Sequence, residues 1–159
     1  MGRASVADPL KVFRFLVQIP TFANSGWSEV TGLSDETDTV EYREGGFNDT
    51  PQISAGITKY PQVTLRRGQV APAPGQGNDL EIIRWREDVI RIDRTGTAEN
   101  YRKEIDIVQM SSVNRAVRRW RLFNAFPKGV KPFSDLNGNT SENSLVELMI
   151  VHEGYRLIT

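Results

Sequence analysis

Trp120-Arg-Leu-Phe-Asn-Ala-Phe-Pro127, followed by Asp135-Leu-Asn137 and a polar, then apolar run ending in His152-Glu-Gly154, decides how this chain is read. It reads as a strand, a long turn and a second strand, with no group placed for chemistry. Alternation sends Trp120 and Leu122 to one face and Arg119, Arg121 and Phe123 to the other. The closing strand, Leu145 to His152, is apolar on both alternation sets: Val146, Leu148 and Ile150 on one, Leu145, Met149 and Val151 on the other. That pattern predicts cover on both of its faces.

Working outward, Arg102 to Met110 sets Ile105 and Ile107 against Glu104 and Asp106, and pairs with Arg118 to Phe123 as a hairpin across the polar hinge Ser111 to Asn114. Near the amino end, Phe13, Phe15, Val17 and Ile19 fall at period two, which predicts a strand over 11–19 closed by Pro20. Thr39 to Arg43 alternates again and stops at Gly45-Gly46. The polar, turn-rich residues that follow predict an extended loop over about 44–58. Pro61 to Gly68 is another strand, with Val63 and Leu65 on one face and Thr64 and Arg66 on the other. A Pro- and Gly-rich connector over about 69–79 precedes one helix, which Asn78 or Asp79 would cap and which carries Leu80, Ile83, Trp85 and Val89. Laying Leu80, Ile83 and Trp85 against a sheet would stabilise it.

At 159 residues and 17.9 kDa, the chain is expected to fold as a single domain over 1–159, a size that buries roughly 68% of the surface its unfolded form exposes. Twenty Lys plus Arg balance twenty Asp plus Glu, so nothing long-range opposes self-association. The same balance lacks the basic excess of a dedicated nucleic-acid binder. There is no cysteine, hence no disulfide and no thiolate chemistry. The amino end lacks the apolar segment of a signal peptide, and no run approaches the roughly 18 apolar residues of a membrane span. The expectation is a soluble chain made in the cytoplasm.

Chemistry-bearing groups are sparse. His152 is the sole histidine, so a multi-histidine metal centre is ruled out, and beside Glu153 it reads as a packing group. Asp35, Glu36 and Asp38 lack the spacing of a calcium loop and read as a solvated acidic turn. Gly75-Gln-Gly77 completes no phosphate-loop motif, and Ser25 and Ser112 lack a nucleophile-elbow sequence. No catalytic residue, metal ligand or cofactor site is expected. Arg115, Arg118, Arg119 and Arg121 with Trp120 and Phe123 allow a base-stacking platform, or an interface in which Arg119 or Arg121 meets a neighbour's carboxylate. The competing functional readings are a nucleic-acid-binding module and a small β-barrel enzyme.

An ordered set of motifs spans almost the whole chain: Phe13-Arg-Phe15 with Val17, Val30-Thr-Gly-Leu33, Val40-Glu-Tyr-Arg-Glu-Gly-Gly46, Lys59-Tyr60 with Val63-Thr-Leu-Arg-Arg-Gly68, Trp120 to Pro127, Asp135-Leu-Asn137 and His152-Glu-Gly154. In that order it resembles the tail tube proteins of contractile phages and phage-derived bacterial injection systems. The resemblance implies a mainly β, sandwich- or barrel-like domain with one flanking α-helix, whose inner strands join neighbouring subunits in a ring-closed barrel. Six copies per ring and stacked rings would form a conduit for DNA or protein cargo, in a virion tail or an injection particle. The implied partners are further copies of the chain, a sheath protein, baseplate or initiator ring proteins and a tail terminator or cap. Tyr42, Arg43, Glu44, Gly45 and Gly46 would open an extended loop reaching an adjacent ring, with Arg119 and Arg121 also at subunit interfaces. Glu104 and Asp106 are candidates for the lumen, and Arg84, Arg86 and Glu87 for the helix surface facing the sheath.

Overall fold

The computed structural model describes residues 9–20, 22, 26–43, 45, 46, 50–68, 80–95 and 101–158, with the side chains of 93–95 outside that description. In chain order the elements are β1 (Phe15–Gln18), β2 (Glu29–Thr31), β3 (Glu36–Tyr42), β4 (Gln52–Lys59), β5 (Val63–Gly68), α1 (Leu80–Thr95), β6 (Lys103–Met110), β7 (Ala116–Lys131), β8 (Leu145–Val151) and β9 (Tyr155–Leu157). The proposed cap of α1 and the 69–79 connector lie outside the described residues.

β7 organises the body because its 16 residues serve two sheets. Its first half lies between β6 and β9, with Ile107 opposite Trp120 and Trp120 opposite Leu157. Its second half pairs with β8, with Phe126 opposite Val151 and Val130 opposite Leu148. The change of partner falls at Asn124, whose φ of 49° is a left-handed conformation that asparagine tolerates. There Phe123 exchanges backbone hydrogen bonds with Glu153 and Gly154. The hairpin across Ser111 to Asn114 forms as the alternation implies, with Asn114 at φ 57° and its N–H donating to the Ser111 carbonyl.

The strand path runs β1-β6-β7-β8-β5-β2, with β9 on β7 and every pairing antiparallel. Val17, Ile105, Ile107 and Leu122 from one sheet meet Val63, Leu65, Val146, Leu148 and Ile150 from the other in one core, which Trp27, Ile82 and Trp85 complete. The mainly β body with one flanking helix matches expectation; the closed barrel does not. Among the described residues β1 pairs only with β6 and β2 only with β5, so the path has two ends and no sheet closes into a barrel or ring. The terminal strands are short, four and three residues. β1 is followed within two residues by Pro20, which lacks an N–H, and β2 runs into Gly32 at φ 88°.

Other differences have local causes. The first strand covers 15–18 rather than 11–19, and Phe13 stands exposed. Half of the segment expected as a loop is β4, paired along β3. β8 buries only Val146, Leu148 and Ile150; its other face carries Glu147, ion-paired to Arg66, which also meets Glu29. A polar ladder therefore occupies the face for which cover was expected. On α1 the buried residues are Ile82 and Trp85, while Leu80 at the first position is largely exposed.

Candidate assembly surface

β3 and β4 form a two-stranded arm separate from the main sheets, with every residue of both strands exposed. Register runs from Glu36 opposite Lys59 to Tyr42 opposite Gln52, with an irregularity between Thr37 and Thr39. Beside it, a Cβ on Gly56 would lie 2.9 Å from the Asp38 carbonyl oxygen, so the position excludes a side chain. The arm is braced by Lys59–Asp38 at 2.8 Å and by the Thr37 and Thr58 hydroxyls at 2.9 Å. Val40, Tyr42, Ile53 and Ile57 are 54–72% exposed along it. An isolated two-stranded hairpin is marginal in water, so four bare apolar side chains on one call for cover from outside the chain. At its tip Arg43 is exposed and Gly45 and Gly46 form a turn, with Gly46 at φ 110°; Glu44 lies outside the described residues.

Both ends of the arm are seated on the kink between β8 and β9. Before β3, Asp35 accepts a hydrogen bond from the Tyr155 hydroxyl at 2.6 Å, which is the main cause raising the pKa of that hydroxyl. After β4, Tyr60 lies over Gly154, where a Cβ would stand 3.6 Å from the tyrosine ring. Gly154 adopts φ 143°. The Tyr60 ring centroid is 5.7 Å from His152 and 6.2 Å from Tyr155, and Tyr155 packs against Trp120. His152 is 8% exposed. Its Nδ1 accepts the Gly154 N–H at 3.3 Å, its Nε2 makes no hydrogen bond among the described residues, and burial pushes its pKa below the ordinary histidine value against the smaller opposite pull of the Gly154 and Pro61 backbone. Sequence reasoning missed Asp35, Tyr60 and Tyr155 in this seat. The available signal was Tyr60-Pro61 placed directly after a turn-rich segment.

On the face of β6 and β7 opposite Ile105, Ile107 and Leu122, four sequence-selected residues converge. Asp106 accepts bonds from Arg121 Nε at 2.8 Å and Nη2 at 3.1 Å, and from Arg119 Nη1 at 3.3 Å. Glu104 is 3.7 Å from Arg121 and exposed. The register explains the cluster, since Asp106 is directly opposite Arg121 and Val108 opposite Arg119. The Arg121 hydrogen bond leads the causes that hold the Asp106 carboxyl below the usual range, outweighing the opposite push of burial. Arg119 and Arg121 thus meet a carboxylate of their own chain. At the sheet corner Glu153 binds Arg102 and accepts from Asn124 at 2.7 Å.

On α1, Arg84 and Glu87 are exposed. Arg86 instead turns inward, its Nη1 donating to the Pro127 carbonyl at 3.1 Å, while Trp85 Nε1 donates to the Tyr101 carbonyl at 2.6 Å. Among the described residues there is no cluster of three or more His, Asp or Glu able to hold a metal, and no helix long and apolar enough to cross a membrane.

The same overall fold occurs in solved chains from contractile injection systems. The structure superposes on a chain from the cryo-EM structure of the anti-feeding prophage tube-terminating cap with a TM-score of 0.77, at 22% identity over 99% of this chain and 96% of that one. Against a chain from the sheath-tube complex of the extracellular contractile injection system PVC in its extended state, the TM-score is 0.75, at 22% identity over 98% of each. A chain from the anti-feeding prophage baseplate gives 0.75, at 20% identity over 96% of this chain and 97% of the other. No curated protein sequence matches the chain. Residues 11–156 match the family described as T4-like virus tail tube protein gp19, and the chain belongs to that family. It is accordingly a structural tube subunit and not an enzyme.

Proposed function

We propose that this chain builds the inner tube of a contractile tail or injection system as stacked hexameric rings, forming a conduit for DNA or protein cargo. The family match over residues 11–156 carries this reading, and the wholly exposed β3–β4 arm supports it. In the assembly, Val40, Tyr42, Ile53 and Ile57 reach an adjacent ring and are covered there, with the turn at Gly45 and Gly46 leading. Glu104 and the Asp106–Arg119–Arg121 cluster give their sheet a polar face suited to a bore that must not hold what passes. The exposed Arg84 and Glu87 on α1 face a sheath protein. Baseplate or initiator ring proteins and a terminator or cap close the two ends, and the finished particle is a virion tail or an extracellular injection device.

Negative-stain electron microscopy of the concentrated, purified protein tests the reading. Rings or hollow rods are expected. A chain that stays monomeric at every concentration, with Ile53 and Ile57 still bare, would overturn it.

A further inference from the structure

We propose that His152 is an acid-operated latch on the root of the arm: the neutral imidazole keeps Tyr60 and Gly154 seated, and a proton on the ring unseats them and frees β3 and β4. This deepens the assembly reading by naming a regulation of the arm, and its effect on a tube rests on the arm reaching another copy.

The surroundings of the ring favour its neutral form, because burial outweighs the backbone groups of Gly154 and Pro61 that favour the charge. Nδ1 is occupied by the Gly154 N–H, so protonation there breaks the bond that holds the kink. Nε2 is buried and makes no hydrogen bond of good geometry among the described residues, and the pull of the Pro61 backbone towards the charged ring is smaller than the push of burial. A buried polar group in that state is costly, and a buried cation without a counter-ion more so. Tyr60 and Tyr155 also meet the ring at tilted and edge-on angles, leaving it only 8% exposed.

The charged groups on the surrounding elements are engaged elsewhere. Asp35, ahead of β3, is bonded to the Tyr155 hydroxyl, and Lys59, at the end of β4, is paired with Asp38. Glu153, next in the chain, is bonded to Arg102 and Asn124. On β7, Arg121 is tied to Asp106, and on β9 Arg156 stands opposite Arg121. A cleft of about 410 Å³ lined by Tyr60, Phe123, Glu153, Gly154, Tyr155 and Arg156 adjoins the seat and offers water a way in once Tyr60 lifts.

Because burial lowers the histidine's pKa in the folded state, the unfolded or unseated state binds the proton more tightly. The seat is at full strength above the ordinary value of about 6.5 and weakens as pH falls through and below it. Both chain segments entering the arm leave from this seat, so loosening it releases the arm while the core of the body keeps its packing.

Hydrogen-exchange mass spectrometry on the full chain, held dilute and unassembled, tests the latch. After correction for intrinsic exchange, peptides covering 33–42 and 52–62 should exchange roughly tenfold faster at pH 5 than at pH 7.5, and His152→Gln should abolish the difference. A wild-type arm indifferent to pH, or an equal response in His152→Gln, overturns the proposal. Should that variant fail to fold, the wild type decides alone, because it has a single histidine and its ring resonances need no assignment. Titration below about 6.5 in step with arm exchange upholds the latch, and titration at or above that value defeats it. If the arm loosens at pH 5 while assembled tubes persist, the latch stands and the inter-ring role of the arm falls.

Discussion

β5 and β8 in the body and β3 and β4 in the arm are strands of similar length carrying similar apolar residues, yet their surroundings are opposite. Val63, Leu65 and Leu148 are at most 1% exposed, each in a strand flanked by others and backed by the second sheet. Val40 on β3, and Ile53 and Ile57 alternating on β4, are at least 54% exposed, with nothing packed on them among the described residues. The body obtains its hydrophobic stabilisation within one chain. The arm defers its own, so contacts made by one copy govern folding and contacts between copies govern assembly.

The comparison is broken most severely at Leu65, where Leu65→Ala should cost about 3 kcal/mol in denaturant unfolding of the dilute protein. A loss below about 1 kcal/mol would mean that the sandwich is not the stabilising unit. Asp106→Ala should cost about 2 kcal/mol by leaving Arg119 and Arg121 without their shared acceptor. The pH dependence sharpens this point. The Asp106 carboxyl is held below its ordinary value, so its contribution is present above about pH 4 and lost as pH falls further. Asp106→Asn should flatten that acid limb, measured as unfolding midpoint against pH. Gly32→Ala should cost about 1.5 kcal/mol, since φ is 88° and the new Cβ would lie 2.5 Å from the Gln62 carbonyl oxygen. The smallest stability effect belongs to the arm: Ile57→Ser should change unfolding of the dilute chain by under about 0.5 kcal/mol. The same substitution should prevent long rods in electron micrographs, and unaltered rods would remove Ile57 from the contact.

Much of the body was legible because period-two alternation over Val63 to Gly68, Arg102 to Met110 and Arg118 to Phe123 reports a buried face directly. β4 was not. Pro51, Ser54 and Gly56 read as turn residues, and the pairing of β4 with β3 leaves no burial pattern to detect. On α1, Leu80 was chosen and Ile82 missed, because spacing alone does not fix the phase of a helix when both flanking positions are apolar. Glu104, Asp106, Arg119 and Arg121 were found by residue type, while their mutual pairing depends on a register that only the folded hairpin sets. The seat of His152 was hidden for a related reason. Asp35, Tyr60 and Tyr155 are far apart in sequence and meet only once β9 lies beside β7.

The unbroken course of β7 has a mechanical consequence. One backbone is shared by both sheets, and its corner at Asn124 is clamped by the Glu153 carboxylate. A twist applied to the β6 side therefore reaches β8 through covalent bonds, without passing across a soft side-chain layer. In the proposed tube each such unit would act as a plate, and a change in length or pitch would fall between plates before it bent one.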